Sequence, residues 1–230
     1  MKKTVRHGLS GNALKIIAML AMLIDHVGYY LFPTLLVLRA VGRIAFPIFA
    51  YMIAEGYAHT RSRLRYFLTV AGIGVLSQLA ATIGAGVLHM NILITFALAI
   101  AVAALSDMLL QGTPRRQALA GGALAGILFL VAGMPYLSSL SFDYGAVGVL
   151  LPPMLYRLRG QGEKLLAVAL AIAALSIAAA PVRWCALFAI PLLALYNGQR
   201  GKAKLKYLFY LFYPAHIAIL WLLAKLLRLQ

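Results

Sequence analysis

Acidic residues are scarce in this chain: five Asp and Glu stand against 21 Lys and Arg, for a formal net charge of +16 over 230 residues. Charged residues of both signs together reach 11%, less than half their share in ordinary soluble domains, which excludes that class. Cysteine occurs once, at Cys185, which excludes an internal disulfide and a cysteine-rich metal site. Disorder is excluded too, because its signature is low hydrophobicity, and here 63% of residues are hydrophobic. A strongly basic chain can bind nucleic acid, but basic clusters separated by long apolar runs suit a bilayer instead. The expected partners therefore include membrane lipids and no nucleic acid.

A helical span needs about 20 mostly apolar residues. Such runs fall near 11–32, 34–58, 64–84, 90–111, 117–133, 142–157, 164–180, 183–197 and 205–227. The expected fold is an all-α polytopic membrane bundle of about nine transmembrane helices, in one domain over 1–230. Two runs, 142–157 and 183–197, are short and interrupted by Pro152, Pro153 and Pro191, so either is expected to be tilted, broken or re-entrant. The loops after alternate spans, with the N-terminal segment, hold fifteen of the 21 basic residues: Lys2, Lys3, Arg6; Arg61, Arg63, Arg65; Arg115, Arg116; Arg157, Arg159, Lys164; Arg200, Lys202, Lys204, Lys206. The positive-inside rule then predicts a cytoplasmic N-terminus and an outer C-terminus. The first apolar run is too long for a signal peptide and carries Asp25-His26, so it reads as an uncleaved span. Gly121, Gly122 and Gly126 predict close helix packing.

Ionisable residues inside apolar runs mark functional sites by default, because charge at bilayer depth is costly unless paired or wetted. The first run holds Asp25 and His26, the second Arg43, Glu55 and His59, and the last Tyr213, Pro214 and His216. With a helical rise of 1.5 Å per residue, Asp25 and His26 lie about 22 Å up from the cytoplasmic side, and Arg43 about 13 Å down from the other. His216 lies about 16 Å above the start of the last run, with Tyr213 three residues earlier on the same face. Gln78, Asn91 and Thr95 fall at compatible depths. These positions predict a polar cluster of Asp25, His26, Arg43, Gln78, Asn91 and His216.

Each has a plainer reading. Asp25 and Arg43 suit a structural ion pair between the first two spans. Tyr213-Pro214 suits a kink that frees the carbonyl of Tyr210. His216 suits an interhelical hydrogen bond, and Glu55 with His59 a local pair. The Arg61, Arg63, Arg65 run reads as a topology signal. His89, Asp107, Asp143 and Glu163 fall at span ends, where solvation is expected. No metal-ligand spacing and no phosphate-binding glycine loop with its lysine occurs, so no metal is expected. His26 beside Asp25 is the strongest candidate for chemistry, since histidine titrates near neutrality and a carboxylate can orient it.

At three stretches the chain resembles the TraX family of membrane acyltransferases, whose namesake acetylates the N-terminus of a conjugative pilin. They are Leu14-Lys15-Ile-Ile-Ala with Ile24-Asp25-His26-Val-Gly28; Gly42-Arg43-Ile-Ala-Phe-Pro47 through Glu55-Gly56-Tyr57; and Phe212-Tyr213-Pro214-Ala-His216. Weaker echoes are Leu76-Ser77-Gln78 and Asn91 through Phe96, while 112–200 matches in hydropathy alone. The resemblance implies an integral protein of a bacterial cytoplasmic (inner) membrane. It implies acetyl-CoA as donor, loaded from the cytoplasm, and an amine or hydroxyl acceptor on the outer side: a pilin-like peptide N-terminus, a sugar or a small amine.

On that reading His26 is the general base, Asp25 holds its tautomer, and Arg43 or Asn91 stabilises the oxyanion. His216 completes the catalytic set. Glu55, Gln78, Asn91, Tyr213, Arg61, Arg63 and Arg65 are expected in substrate or cofactor binding, the arginines against coenzyme A phosphates with Lys202, Lys204 and Lys206. A covalent acyl-histidine is also open. A proton- or anion-coupled transporter using Asp25, Arg43, Glu55 and His216 is the competing reading, and a scaffold with buried ion pairs the third. A homo-oligomer is consistent with all three.

Overall fold

Runs of this length and apolarity leave the backbone no solvent partner in a membrane, so they become helices. The computed structural model describes residues 8–85, 89–177, 181–203 and 205–227, without the side chains of 84, 85, 206 and 207. Lys2, Lys3, Arg6 and Lys204 of the charge alternation lie outside the described residues, as does the side chain of Lys206.

Helix α1 (Gly11–Tyr30) begins where the Ser10 side chain accepts a hydrogen bond from Ala13 N–H, the usual N-cap arrangement. The second apolar run is two helices, α2 (Leu36–Gly42) and α3 (Ala45–His59). Pro47 explains the break: it has no N–H for the carbonyl of Arg43, and its ring crowds that carbonyl. Next come α4 (Arg63–Ala85), a two-residue strand β1 (His89–Met90) and α5 (Ile92–Gln111), capped by Asn91. Helix α6 (Pro114–Leu128) opens on Pro114 and runs through a five-residue π segment, 129–133, into α7 (Met134–Leu137). Strand β2 (Ser141–Phe142) pairs in parallel with β1, His89 opposite Ser141 and Met90 opposite Phe142. The chain closes with α8 (Gly145–Arg157), α9 (Gln161–Ile177), a 3-10 turn (Pro181–Phe188), α10 (Ala189–Ala194) and α11 (Lys206–Leu226).

The all-α membrane bundle of the sequence reading is observed, with the small β1–β2 pair added. Among the described residues, six helical stretches are long and apolar enough to cross a membrane: Gly11–Tyr30, Leu36–His59, Arg63–Ile83, Ile92–Gln111, Pro114–Leu137 and Leu208–Leu226. The other three apolar runs form shorter helices: α8 has 13 residues, α9 has 17, and Pro181–Ala194 mixes 3-10 and α geometry. Large apolar side chains on the outward faces, among them Leu76, Ile83, Leu110, Leu166, Leu170 and Ile219, are exposed. Such a surface is normal against lipid and abnormal against water.

The chain divides into two compact units, Met1–Met52 with Gln161–Gln230, and Ile53–Gly160. In the first, α1 packs on α2 and α11, and α9 packs on α10 and the 3-10 turn. Its core includes Leu14, Ile48, Tyr51, Val168, Ile172 and Leu193. The start of α1 is tied to the 195–203 segment: Gly11 N–H donates to Gln199 O, and the Asn12 side-chain amide to Ala203 O. In the second unit, α5 packs against α4, α6 and α8, and its Phe96, Ile100 and Val102 are buried. The expected close packing at the glycines of α6 is not found: a Cβ on Gly122 or Gly126 would meet nothing within 4 Å, and on Gly121 a single atom at 4.0 Å.

Candidate functional site

Asp25 lies in the last two turns of α1, and the break that Pro47 forces sets Arg43 at the end of α2 facing it. One carboxylate oxygen accepts from Arg43 Nη2 at 2.6 Å, and the other from Arg39 Nη1 at 2.8 Å. Arg39 Nη1 also donates to the Asp25 backbone carbonyl at 3.1 Å, and Arg43 Nε donates to the Arg39 carbonyl at 3.1 Å. The three side chains are 15%, 26% and 14% exposed for Asp25, Arg39 and Arg43. Two guanidinium groups on one carboxylate leave this cluster with net positive charge. Glycine at 42 admits it, because a Cβ there would collide with the Asp25 side chain. Arg39 was absent from the sequence-based site. The available signal was its spacing of four from Arg43, which puts both on one helical face.

His26 and His216 meet across α1 and α11. His216 is buried and His26 half-buried. Phe212 stacks on the His216 ring at 4.5 Å, and Tyr213 meets it edge-on at 5.9 Å. His216 Nδ1 is 2.7 Å from the Phe212 carbonyl, and its Nε2 is 3.0 Å from His26 Nδ1. A carbonyl only accepts, so Nδ1 of His216 carries the hydrogen. With both rings neutral, His216 Nε2 is then the acceptor and His26 Nδ1 the donor, which leaves a lone pair on His26 Nε2.

This geometry revises one expectation. Both Asp25 oxygens receive guanidinium hydrogen bonds, while the ring partner of His26 is His216. The tautomer-setting group is therefore His216 with the Phe212 carbonyl, and Asp25 organises the arginines. Covalent geometry explains the difference: neighbouring side chains on a helix point about 100° apart, so adjacency in sequence does not make adjacency in space.

The remaining predicted residues belong to the second unit. Gln78 and Asn91 do meet: Gln78 Oε1 accepts from Asn91 N–H at 3.0 Å and from its Nδ2 at 3.1 Å. Asn91 Nδ2 also donates to the Gly74 carbonyl, and Asn91 Oδ1 caps α5 at Leu93 and Ile94. With both amide hydrogens and the oxygen engaged, Asn91 acts as a cap and an α4–α5 tie. Glu55 pairs locally with His59, its Oε2 3.8 Å from His59 Nδ1 one turn away. Arg61 and Arg65 are exposed.

Arg63 sits in a network that the sequence reading did not anticipate, and Asp107, expected to be solvated, is its centre. Asp107 Oδ2 accepts from Arg63 Nη1 at 2.6 Å and from Tyr57 Oη at 3.0 Å, and Oδ1 from Arg157 Nη2 at 2.8 Å. Its side chain is 12% exposed. Arg63 lies over the Tyr57 ring, 4.5 Å from its centroid. Four helix segments are thereby clamped through one carboxylate.

Among the described residues no cluster of three or more His, Cys, Asp or Glu could hold a metal ion. No solved structure matches the chain. An uncharacterized protein of Rickettsia prowazekii (strain Madrid E) is 37% identical over 72 residues, which is 31% of this chain and 27% of that one. The chain thus matches little more than a quarter of that relative's length. The family model described as TraX protein matches residues 10–224, a stretch that takes in Asp25, His26, Arg39, Arg43 and His216, and the chain belongs to the TraX family.

Proposed function

We propose that this protein is a membrane acyltransferase that moves an acetyl group from coenzyme A on the cytoplasmic side to an amine or hydroxyl on the outer side. His26 serves as general base. The observation that carries the reading is the chain from the Phe212 carbonyl through His216 to His26, which leaves His26 Nε2 as an oriented proton acceptor on a half-buried ring. The chain crosses a bacterial cytoplasmic membrane with its N-terminus inside and its C-terminus outside, and the three shorter helices take the crossings to nine.

In the reaction the acceptor N–H or O–H approaches His26 Nε2 while its heteroatom attacks the thioester carbonyl. Nε2 takes the proton, and the positive charge that develops on His26 is shared through its Nδ1–H with His216. Arg39 and Arg43 supply the positive field for the oxyanion, held in place by Asp25 before the reaction begins. Collapse of the tetrahedral intermediate expels the coenzyme A thiolate, which recovers the proton from His26. Lys202, in the same unit as His26, remains a candidate for the nucleotide phosphates.

The test is incubation of purified protein with radiolabelled acetyl-CoA and a panel of primary amines, peptides and sugars. Transfer to at least one acceptor is expected, falling about 10²–10⁴-fold in His26→Gln. Undiminished transfer by that variant sinks the role of His26. Absence of any thermal shift with coenzyme A sinks the donor.

A further inference from the structure

A second cluster of chemically competent side chains lies in the Ile53–Gly160 unit. Strand alternation creates it. In the β1–β2 pair, Met90 and Phe142 turn inward, against Val102, Val131 and Val149, so His89, Ser141 and Asp143 take the other face. Ser141 and Asp143, two residues apart, then flank the two nitrogens of the His89 ring. Ser141 Oγ is 2.6 Å from Nδ1, and Asp143 Oδ1 is 2.8 Å from Nε2.

The positions are firmly held. Asp143 N–H donates to the Met90 carbonyl at 3.0 Å, and the Asp143 carbonyl accepts from Thr95 Oγ1 at 3.1 Å, with Thr95 fully buried. Tyr144 next to it has φ of 59°, a conformation costly for a bulky residue and maintained by its surroundings. Gly148 lets α8 approach this turn, since a Cβ there would lie 2.8 Å from Thr95 Cγ2. The His89 and Asp143 side chains are 48% and 37% exposed, open enough for a substrate to reach.

We propose that Ser141, His89 and Asp143 form a nucleophilic triad that takes an acyl group from an activated ester or thioester. The arrangement has the roles of a serine–histidine–aspartate site: a hydroxyl on one ring nitrogen and a carboxylate orienting the other. His89 Nε2–H donates to Asp143, and Nδ1 accepts the Ser141 hydroxyl hydrogen. Ser141 Oγ attacks the acyl carbonyl as its proton passes to His89 Nδ1. The bond to the alkoxide or thiolate breaks, that group leaves with the proton, and Ser141 holds an ester. Water or a primary amine then attacks the ester, its proton passing through His89 back to Ser141 Oγ, which releases the acid or the amide. The proposal does not rest on the role given to His26.

A purely structural clip between β1 and β2 would use the same hydrogen bonds but would have no nucleophilic reactivity. The experiment treats the purified full chain with an alkyl fluorophosphonate and maps the adduct by peptide mass spectrometry. The expected result is an adduct on Ser141, absent in Ser141→Ala and formed at least about 100-fold more slowly in His89→Gln. Because the base must be neutral, labelling of the unaltered protein rises with pH. Asp143, the charged group set against His89, raises its pKa above the ordinary 6.5, so the midpoint lies above that value. Absence of label on Ser141 of the unaltered protein overturns the proposal, as does a labelling rate independent of pH between about 5 and 9.

Discussion

His216 Nε2 lies 3.0 Å from His26 Nδ1, joining two residues 190 positions apart in the chain. On the proposed reading, in which His26 is the base, the contact makes His216 a positioning residue. His216→Ala is expected to lower acyl transfer by about 10²-fold, the cost of losing alignment at a reacting group. His216→Gln restores much of it, since a glutamine oxygen can accept the Nδ1 hydrogen. Rates of the two variants with saturating acetyl-CoA, compared across pH, decide the matter: equal loss in both means that His216 only fills space.

Removing Asp25 strands two arginines in a mostly buried setting. Breaking a buried pair by deleting one partner costs about 3 kcal/mol or more, so Asp25→Ala should melt well below the parent protein in detergent. Arg39→Ala leaves the Arg43 bond and should cost less. Equal melting temperatures for Asp25→Ala and the parent would mean that the cluster holds nothing together.

Gly42→Ala adds one methyl carbon where the Asp25 side chain now sits. Overpacking of this kind costs about 1–3 kcal/mol, and here it also pushes the carboxylate off the arginines. The expected outcome is a greater loss of transfer than Gly122→Ala produces, because the Gly122 site is open. Parallel melts and transfer assays on the two variants check it.

Asp107→Asn weakens hydrogen bonds from Arg63, Arg157 and Tyr57 at once. Bonds to a charged group contribute about 1.5–3 kcal/mol, and the half-exposed arginines put the loss at the lower end. The parent should lose part of its thermal stability in high salt. The variant, lacking the charge, should lose less, and identical salt responses would contradict this.

His89 has a folded pKa above 6.5, mainly through its hydrogen bond to Asp143. A raised folded pKa gives stability that is fully present below the unfolded value, about 6.5. That stability is lost as pH rises through the folded value. Thermal melts should therefore fall across the range upward from about pH 6.5, and His89→Gln should flatten that slope. A slope unchanged in the variant would assign it elsewhere.

Composition alone determined that this chain lives in a membrane, because five acids and 63% hydrophobic residues leave no way to cover a soluble surface. Local pattern determined most helices, and the depth of Asp25 and Arg43 determined that they would meet, since a buried charge needs a partner at its own level. The run 34–58, read from the sequence as one span, is divided in the structure into α2 and α3, with Arg43 at the break. Tertiary structure decided the rest. Asp25 is next to His26 in sequence yet holds Arg39 and Arg43, and His26 takes His216, because helix geometry turns neighbours away from each other and packing chooses their partners. Asp107, read as a solvated span end, became the centre of a clamp once α4, α5 and α8 brought Arg63 and Arg157 to it. His89, Ser141 and Asp143 carry no signal at their spacing, since a pairing of two short strands 52 residues apart creates that cluster. Which residues are costly to bury is written along the chain, whereas which of them meet depends on the packing of segments distant in sequence.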